Sequence, residues 1–392
     1  MSAVASDVTP FRIEISESAV ADLQDRLRRT RWPEAETVDD WSQGTPLRYL
    51  QGLCRYWLEE YDWRAAELRL NRLPQFTTTI DGLRIHFVHV RSPHPKAVPL
   101  LMMHGWPGSI TEFHKVIEPL ADPVTIGGDP ADAFHIVCPS LPGFGYSGKP
   151  TRPGWGAERI ADAWEELMSR LGYQHYGAQG GDWGARLAMT LGRTRPERVI
   201  GIHLNMVPFP PPASTHDLTD SERAALDRLA RHRADGSGYA VVQATRPQSI
   251  GYGLTDAPAA VAAWITEKFQ AWSDCDGDPG TIFTREELLD NIMMYWMPGT
   301  GASAARLYWE SFASVAADTR PVAVPAGCSV FPADIYVPSR RLAQPWFADL
   351  RYWNELSTGG HFAALEQPAT FVNEVQAAFR LLRDKQPPHT AS

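Results

Sequence analysis

An aspartate between glycines is the residue of this 392-residue chain best suited to nucleophilic chemistry. Asp182 lies in the segment GGDWG, residues 180–184, between a predicted strand and a predicted helix. The segment fits a nucleophile elbow, a strained turn that needs small flanking residues because a side chain there would crowd the strand or the helix. A carboxylate with an ordinary pKa of about 3.9 is ionised at pH 7 and displaces leaving groups at sp³ carbon, forming an alkyl ester. Epoxides or alkyl halides are therefore the predicted substrates.

A second motif, HGWPGS at residues 104–109, follows a predicted buried strand. In folds with a nucleophile elbow, the loop at this position donates one backbone N–H to the oxyanion, and the residue after the nucleophile donates the other. We therefore assign the two donors to Trp106 and Trp183, and we expect a cis peptide bond between Trp106 and Pro107. We expect His104 to form structural hydrogen bonds rather than to act as a base.

A histidine and an acid late in the chain complete the predicted constellation. His361 follows a pair of glycines and comes last in the order nucleophile, acid, histidine, which suits a general base. Asp334, after an earlier strand, is the first choice for the acid that orients the imidazole. Asp349 and Glu355 are weaker candidates, because they fall within a predicted helix and a predicted strand.

Alternating strands and helices supply the framework that such a site requires. From Val98 onward, short apolar strands, one of them predicted over Tyr173–Ala178, alternate with helices. A Pro-rich, mostly helical stretch interrupts the alternation. This order predicts a mostly parallel central sheet covered by helices on both faces, and with the elbow, the HGWPGS loop and the order of the triad it indicates an α/β-hydrolase fold. The predicted parts are an N-terminal extension (1–95), the α/β core (96–205 and 323–384), a helical lid (206–322) and a disordered tail (385–392).

The predicted extension contains two helices and a hairpin. Ser16 is the expected cap of a helix that runs to about Arg31, and Thr45 is the expected cap of a second helix with Pro46 in its first turn. The stretch 75–89 alternates in polarity around an Asp-Gly pair, which predicts a β-hairpin. The extension is expected either to clasp the lid or to mediate a homodimer.

Composition excludes several classes of partner. The formal net charge of −9 disfavours nucleic acid, because phosphate binding needs a basic face. Neither a signal peptide nor an apolar run long enough to span a bilayer is evident, so no membrane partner is expected. The four cysteines are far apart, which argues against disulfides and metal sites and favours the cytoplasm.

Several segments in order resemble the microsomal-type epoxide hydrolases. They are HGWPGS, SLPGFGYSG, GGDWG and GGHFAALEQP, preceded by TRWPE and LPQFTTTIDGLRIHFVH, and the similarity runs from about Phe11 to Leu382. The chain looks like the soluble bacterial members, because it lacks the N-terminal membrane anchor of the animal ones. The resemblance implies hydrolysis of an epoxide to a vicinal diol through an aspartyl ester, with no metal or organic cofactor.

The resemblance also implies two lid tyrosines that bind the epoxide oxygen. They match Tyr239 and Tyr308, and Tyr252 and Tyr295 are nearby alternatives. Asp334 departs from the family, in which the orienting acid is often a glutamate. The chain has 14 tryptophans, many near these motifs, which favours a bulky or aromatic epoxide.

Two other functions remain open from the residues. A haloalkane dehalogenase would share the fold and the aspartate nucleophile, but it usually has an Asn or Trp side chain that binds the halide rather than paired lid tyrosines. A catalytically silent hydrolase fold that binds a small molecule is the second alternative. The intact nucleophile, acid and base argue against it.

Overall fold

The central sheet has nine strands within the described residues. A computed structural model of the chain describes residues 8–209 and 216–383, so the predicted disordered tail 385–392 lies outside it. The strands are β1 (Thr9–Phe11), β2 (Gln75–Ile80), β3 (Leu83–Val90), β4 (Val98–Met103), β5 (Phe134–Pro139), β6 (Tyr176–Gly180), β7 (Val199–Leu204), β8 (Ala326–Val330) and β9 (Leu350–Glu355). Their order across the sheet is β1-β2-β3-β5-β4-β6-β7-β8-β9.

The direction of the strands divides the sheet into two parts. Strands β1, β2 and β3 pair antiparallel, as does β3 with β5, whereas β5, β4, β6, β7, β8 and β9 run parallel. The predicted hairpin is confirmed: β2 and β3 turn at Asp81 and Gly82, whose φ angles of 50° and 74° suit a two-residue turn. The hairpin belongs to the predicted extension, yet it continues the core sheet.

Fifteen α-helices surround the sheet in the described part of the chain. They are α1 (Glu17–Arg28), α2 (Leu47–Glu59), α3 (Trp63–Leu70), α4 (Ile117–Ala121), α5 (Ala157–Arg170), α6 (Asp182–Thr194), α7 (Asp220–Arg231), α8 (Gly238–Thr245), α9 (Pro247–Asp256), α10 (Pro258–Trp272), α11 (Arg285–Trp296), α12 (Gly301–Ala317), α13 (Arg340–Ala343), α14 (Ala363–Glu366) and α15 (Pro368–Leu382). Helix α6 contacts β4, β6 and β7, and α15 contacts β7, β8 and β9. Helices α7 to α12 fall between β7 and β8 as a helical insertion, at the place of the predicted lid, and we use that name for them. The predicted fold class is confirmed.

The N-terminal helices pack against the lid. Helices α1 and α2 contact α10, and α2 also contacts α11. Arg26 pairs with Asp256 at 2.8 Å, and Asp290 accepts hydrogen bonds from both Tyr61 and Arg69, at 2.7 Å and 2.9 Å. We name these three contacts the clasp.

Three predicted boundaries are wrong by a few residues. Helix α1 ends at Arg28 instead of about Arg31. Pro46, not Thr45, is the N-cap of α2: the Thr45 hydroxyl donates to the Ala263 carbonyl at 2.9 Å and accepts no N–H of the helix. Strand β6 begins at Tyr176 instead of Tyr173. Tyr173 lies outside the sheet, and its ring stacks on His135 of β5.

Candidate active site

The turn that carries Asp182 depends on glycines on both sides. Asp182 has a φ of 49°, a left-handed conformation that is strained for a residue with a side chain. It follows β6 directly and begins α6. A Cβ at Gly180 would overlap the backbone of Gly184, and a Cβ at Gly184 would overlap the Met103 carbonyl on β4. The small residues therefore let the helix start against the strand ends.

The Asp182 carboxylate lies against two backbone N–H groups. The Trp106 N–H donates to Oδ1 at 2.8 Å, and the Trp183 N–H is close enough to the carboxylate to lower its pKa. Burial raises the pKa of Asp182, while His361 and the two N–H groups oppose that rise by favouring the charged form. The Trp106–Pro107 peptide bond is cis, as predicted.

The imidazole of His361 lies between two carboxylates. Its Nδ1 donates to Asp334 Oδ1 at 2.7 Å, and its Nε2 lies 3.6 Å from Asp182 Oδ2. Burial lowers the pKa of His361, but Asp334, Asp182 and Glu112 together outweigh burial and bring the pKa to about 9. The ring is therefore doubly protonated at pH 7 when Asp182 is ionised.

Asp334 is held rigidly beneath this ring. The side chain is inaccessible to solvent, and the Ile335 N–H donates to Oδ1 at 2.7 Å. Asp334 therefore reaches the imidazole even though its side chain is one methylene shorter than the glutamate often found at this position. The two weaker candidates lie elsewhere: Asp349 pairs with Arg351 before β9, and Glu355 accepts a hydrogen bond from the Trp353 indole.

Two lid helices bring Tyr239 and Tyr308 to the aspartate. Tyr239 is in α8 and Tyr308 in α12, and both are buried. The Tyr239 ring stacks on Trp106 at 4.9 Å, and the Tyr308 ring meets Trp183 edge-on at 4.9 Å. Burial raises the pKa of both phenols well above 10, and the charge of Asp182 raises both further. Both are therefore protonated hydrogen-bond donors at neutral pH.

The two alternative tyrosines occupy other positions. The side chain of Tyr252 is 69% exposed on the surface. Tyr295 is buried, but its hydroxyl donates to the Gly108 carbonyl at 2.6 Å and so supports the loop that carries Trp106. The structure therefore places Tyr239 and Tyr308 against the indoles beside the nucleophile, whereas Tyr252 is on the surface and the Tyr295 hydroxyl is hydrogen-bonded to Gly108.

His104 lies beside the site in a structural role, as predicted. Its Nδ1 donates to the Gly105 carbonyl at 2.9 Å, and its Nε2 accepts from the Leu141 N–H at 3.2 Å. Burial lowers its pKa to about 4, so the ring is neutral at pH 7. It holds the oxyanion loop against the loop after β5.

Sequence reasoning missed three residues around the site. Glu112 is buried near Asp182 and His361, and burial raises its pKa to about 8, so it is mostly neutral at pH 7. The backbone carbonyl of Trp272 accepts a hydrogen bond from the backbone N–H of His361, and the Trp272 ring packs edge-on against the His361 imidazole. The Lys268 ammonium lies 4.5 Å above the Tyr239 ring. Lys268 and Trp272 are four residues apart on α10, so helical spacing predicts that they share a face.

Comparisons with known proteins agree with this geometry. Residues 8–113 match the family described as "Epoxide hydrolase N terminus", and residues 98–240 match the "alpha/beta hydrolase fold" family. A relative from Stigmatella aurantiaca, provisionally named an epoxide hydrolase, is 52% identical over 96% of this chain and 86% of its own. "Epoxide hydrolase 1" of Oryctolagus cuniculus is 34% identical over 94% of this chain and 88% of its own.

Two solved structures resemble the whole chain. The juvenile hormone epoxide hydrolase of Bombyx mori superposes with a TM-score of 0.89 at 32% identity, covering 96% of this chain and 95% of that one. The epoxide hydrolase of Aspergillus niger gives a TM-score of 0.87 at 31% identity, covering 96% and 97%. The chain belongs to the epoxide hydrolase family.

Membership decides between the functions left open by the sequence. The chain is an epoxide hydrolase, a hydrolase that acts on ether bonds, and dehalogenation is not favoured by its relatives. No helix in residues 8–209 and 216–383 is long and apolar enough to cross a membrane.

Proposed function

We propose that this epoxide hydrolase acts in two steps, with Asp182 as the nucleophile and His361 as the base. One arrangement carries the proposal: the Asp182 carboxylate accepts the Trp106 N–H at 2.8 Å, with His361 Nε2 3.6 Å from its other oxygen. A carboxylate fixed in this way has one oxygen in the oxyanion hole and the other free to attack.

In the first step, Asp182 Oδ2 forms a bond to an epoxide carbon and the C–O bond of the ring breaks. Tyr239 and Tyr308 donate to the developing alkoxide, and one of them transfers its proton. The raised pKa values of the two phenols keep both protonated until that moment. His361, with a pKa of about 9, then returns a proton to the tyrosinate and becomes neutral.

In the second step, the neutral His361 removes a proton from water, and the hydroxide attacks the ester carbonyl. The N–H groups of Trp106 and Trp183 stabilise the oxyanion, and losing one such donor typically costs about 10²–10³ in rate. The ester carries no charge, so the contribution of Asp182 to the pKa of His361 disappears when the ester forms. Alkylation of Asp182 therefore lowers the pKa of His361 and favours its neutral form, which is the form that can accept a proton from water. The tetrahedral oxyanion then collapses, the ester C–O bond breaks, and the departing diol oxygen takes the proton of the new carboxyl group. Asp182 is again a carboxylate, beside the imidazolium that formed when His361 deprotonated the water.

We further propose that the substrate is bulky or aromatic. The rings around Asp182 support this: Trp272 packs against Tyr239 at 5.3 Å, and Trp106 and Trp183 pack against the two phenols. Aromatic walls bury large apolar surfaces at little conformational cost. A panel of styrene oxide, trans-stilbene oxide and propylene oxide tests this. Equal or higher kcat/KM for propylene oxide contradicts it.

Two further proposals concern the protein in the cell. All four cysteines are free and buried, which supports a reducing compartment such as the cytoplasm. Cell fractionation tests that location, and recovery in a secreted or membrane fraction contradicts it. We keep the homodimer as a proposal, which sedimentation at micromolar concentration tests.

Trapping the ester tests the catalytic assignment directly. His361→Ala should complete the first step and stall, so incubation with styrene oxide should add the full mass of the epoxide to the Asp182 peptide. A 1-chlorobutane sample serves as the comparison, since a dehalogenase would add the alkyl group without chlorine. His361→Ala combined with Asp182→Asn is the control and should stay unmodified. Turnover of styrene oxide by the wild type without any adduct on the variant would refute the scheme.

A further inference from the structure

A second cleft, of about 380 Å³, lies along helix α12. Its walls come mainly from three segments that are far apart in sequence, with Pro142 beside them: the loop 150–155 before α5, residues 245–249 at the end of α8 and the start of α9, and residues 303–310 of α12. None of the residues assigned to catalysis lines it. The cleft is therefore separate from the aspartate site.

The apolar part of the cleft is aromatic and rigid. Trp155 and Trp309 line it together with Leu307 and several prolines. Trp309 is 52% exposed, although a tryptophan usually buries most of its large apolar surface. Prolines and indoles keep a cleft open at little entropic cost. The walls are thus suited to a flat apolar group.

The polar part of the cleft is cationic. Arg152, Arg246 and Arg306 line it, and none of the three forms an ion pair with a carboxylate in residues 8–209 and 216–383. Glu310 is the one acidic lining residue, and its Oε2 accepts the Gly154 N–H at 2.9 Å. Three arginines without acidic partners form a local excess of positive charge in a chain whose net charge is −9.

Arg306 is the residue that most clearly lacks a partner. Its Nε is buried and makes no hydrogen bond, and leaving a buried N–H of a charged group unsatisfied is unfavourable. Lys149 lies close by, and its pKa is lowered first by burial and then by the charge of Arg306. Two cations therefore repel each other here, and an anion bound beside them would relieve that repulsion.

We propose that this cleft binds a small amphipathic anion, a carboxylate joined to an apolar and preferably aromatic body. The guanidinium groups match a carboxylate in planar, paired hydrogen bonds, and the tryptophans take the apolar body. The volume falls in the range of small-molecule sites, roughly 300–1,000 Å³. This binding does not depend on the proposed catalytic roles.

The cleft shares two helices with the active site. Leu307 lines the cleft and Tyr308 follows it in α12, while α8 carries Tyr239 at one end and the cleft residue Thr245 at the other. The anion has two conceivable sources: the acidic tail of an epoxide substrate, or a separate molecule that fixes these helices. Both sources share the chemistry of a carboxylate on an apolar body.

Calorimetry with a ligand that has no epoxide tests the binding. We expect 4-phenylbutyrate to bind the wild type at least tenfold more tightly than the neutral 4-phenylbutanamide, and the difference to shrink in 0.5 M NaCl. Arg306→Gln should cost about tenfold in affinity for the acid, as one charged contact typically does. The triple variant R152Q/R246Q/R306Q should remove the preference. The matched control is Arg72→Gln, an exposed arginine outside the cleft, which should retain it.

A matched pair of epoxides separates the two sources. We compare kcat/KM for 10,11-epoxyundecanoate and its amide in the wild type and in R152Q/R246Q/R306Q. A preference for the acid that the triple variant loses assigns the cleft to the tail of the substrate. If the wild type hydrolyses the acid and the amide equally well, and 4-phenylbutyrate still binds in an arginine-dependent way, the cleft belongs to a separate ligand. Equal binding of 4-phenylbutyrate and its amide overturns the proposal, whatever the enzyme hydrolyses. Failure to hydrolyse any epoxide counts against the catalytic scheme alone.

Discussion

Replacing Asp334 by asparagine separates the two steps of the reaction. The His361–Asp334 hydrogen bond is 2.7 Å long and Asp334 is inaccessible to solvent, so water does not screen the loss of charge. His104 shows what burial does without a carboxylate: its pKa is about 4, whereas that of His361 is about 9. In the ester state, where Asp182 is also neutral, the Asp334→Asn imidazole should resemble His104.

The size of the effect follows from these values. The net rise of the His361 pKa from 6.5 to about 9, to which Asp334 is the largest of three acidic contributors, corresponds to roughly 3 kcal/mol at about 1.4 kcal/mol per pKa unit. That energy sets the scale of the loss at about 10² in rate. Loss of the correct tautomer adds to this, and the equivalent change in serine proteases costs about 10⁴. Ester hydrolysis should therefore slow by about 10²–10⁴. Ester formation should slow much less, because Asp182 keeps both of its N–H donors.

Rapid quenching and intact mass measurement test this prediction. Asp334→Asn mixed with excess styrene oxide should accumulate the alkyl-enzyme within the first turnover, whereas the wild type should show little. Asp349→Asn is the matched control, because that carboxylate is 43% exposed and pairs with Arg351 at the sheet edge. A kcat for Asp334→Asn within fivefold of the wild type, or an equal loss in Asp349→Asn, would refute the assignment of the acid.

Three further results are expected. Tyr308→Phe should lower kcat/KM for styrene oxide by roughly 10–10², because one hydrogen bond to a developing charge usually contributes that much. Tyr252 is exposed, so Tyr252→Phe should keep a kcat/KM near that of the wild type; equal losses in the two variants would contradict the tyrosine assignment. Gly105→Ala should lower activity by more than 10³, because the new Cβ would overlap the Asp182 carboxylate, while the circular dichroism spectrum should change little. Retained activity would contradict the close contact between residue 105 and Asp182. A pH series should show kcat rising with pH through a pKa below 9, because the ester form of the enzyme has lost the Asp182 charge that raises the pKa of His361. An acidic limb of kcat at pH 9 would contradict this coupling.

Local patterns were predictable because their physics is local. The hairpin turns at Asp81 and Gly82 because this pair tolerates two successive positive φ angles. The elbow was visible because close contact between a strand and a helix forces glycine at 180 and 184. Errors at the start of β6 and α2 arose where tertiary contacts of Tyr173 and Thr45 replaced the local preference.

Features that depend on the folded lid were not predictable from the sequence alone. Resemblance favoured Tyr239 and Tyr308, but no local pattern excludes Tyr295, whose hydroxyl turns to the Gly108 carbonyl only once α11 has packed. The neutral state of Glu112 at pH 7 was equally hidden, because its pKa is raised by burial under segments that are distant in sequence. The arginine-lined cleft joins three segments separated by dozens of residues, and no spacing within one of them signals the other two.

The clasp has a consequence for the timing of catalysis. Its three contacts tie α1, the turn before α3 and α3 itself to α9 and α11 of the lid, so lifting the lid as one body would break them together. We expect substrate and diol to pass through smaller movements of single loops and side chains, with the clasp limiting how often the lid opens more widely. The N-terminal segment would then act on the residence time of the product rather than on bond-making. Weakening it should shorten that residence time while leaving the rate of ester formation unchanged.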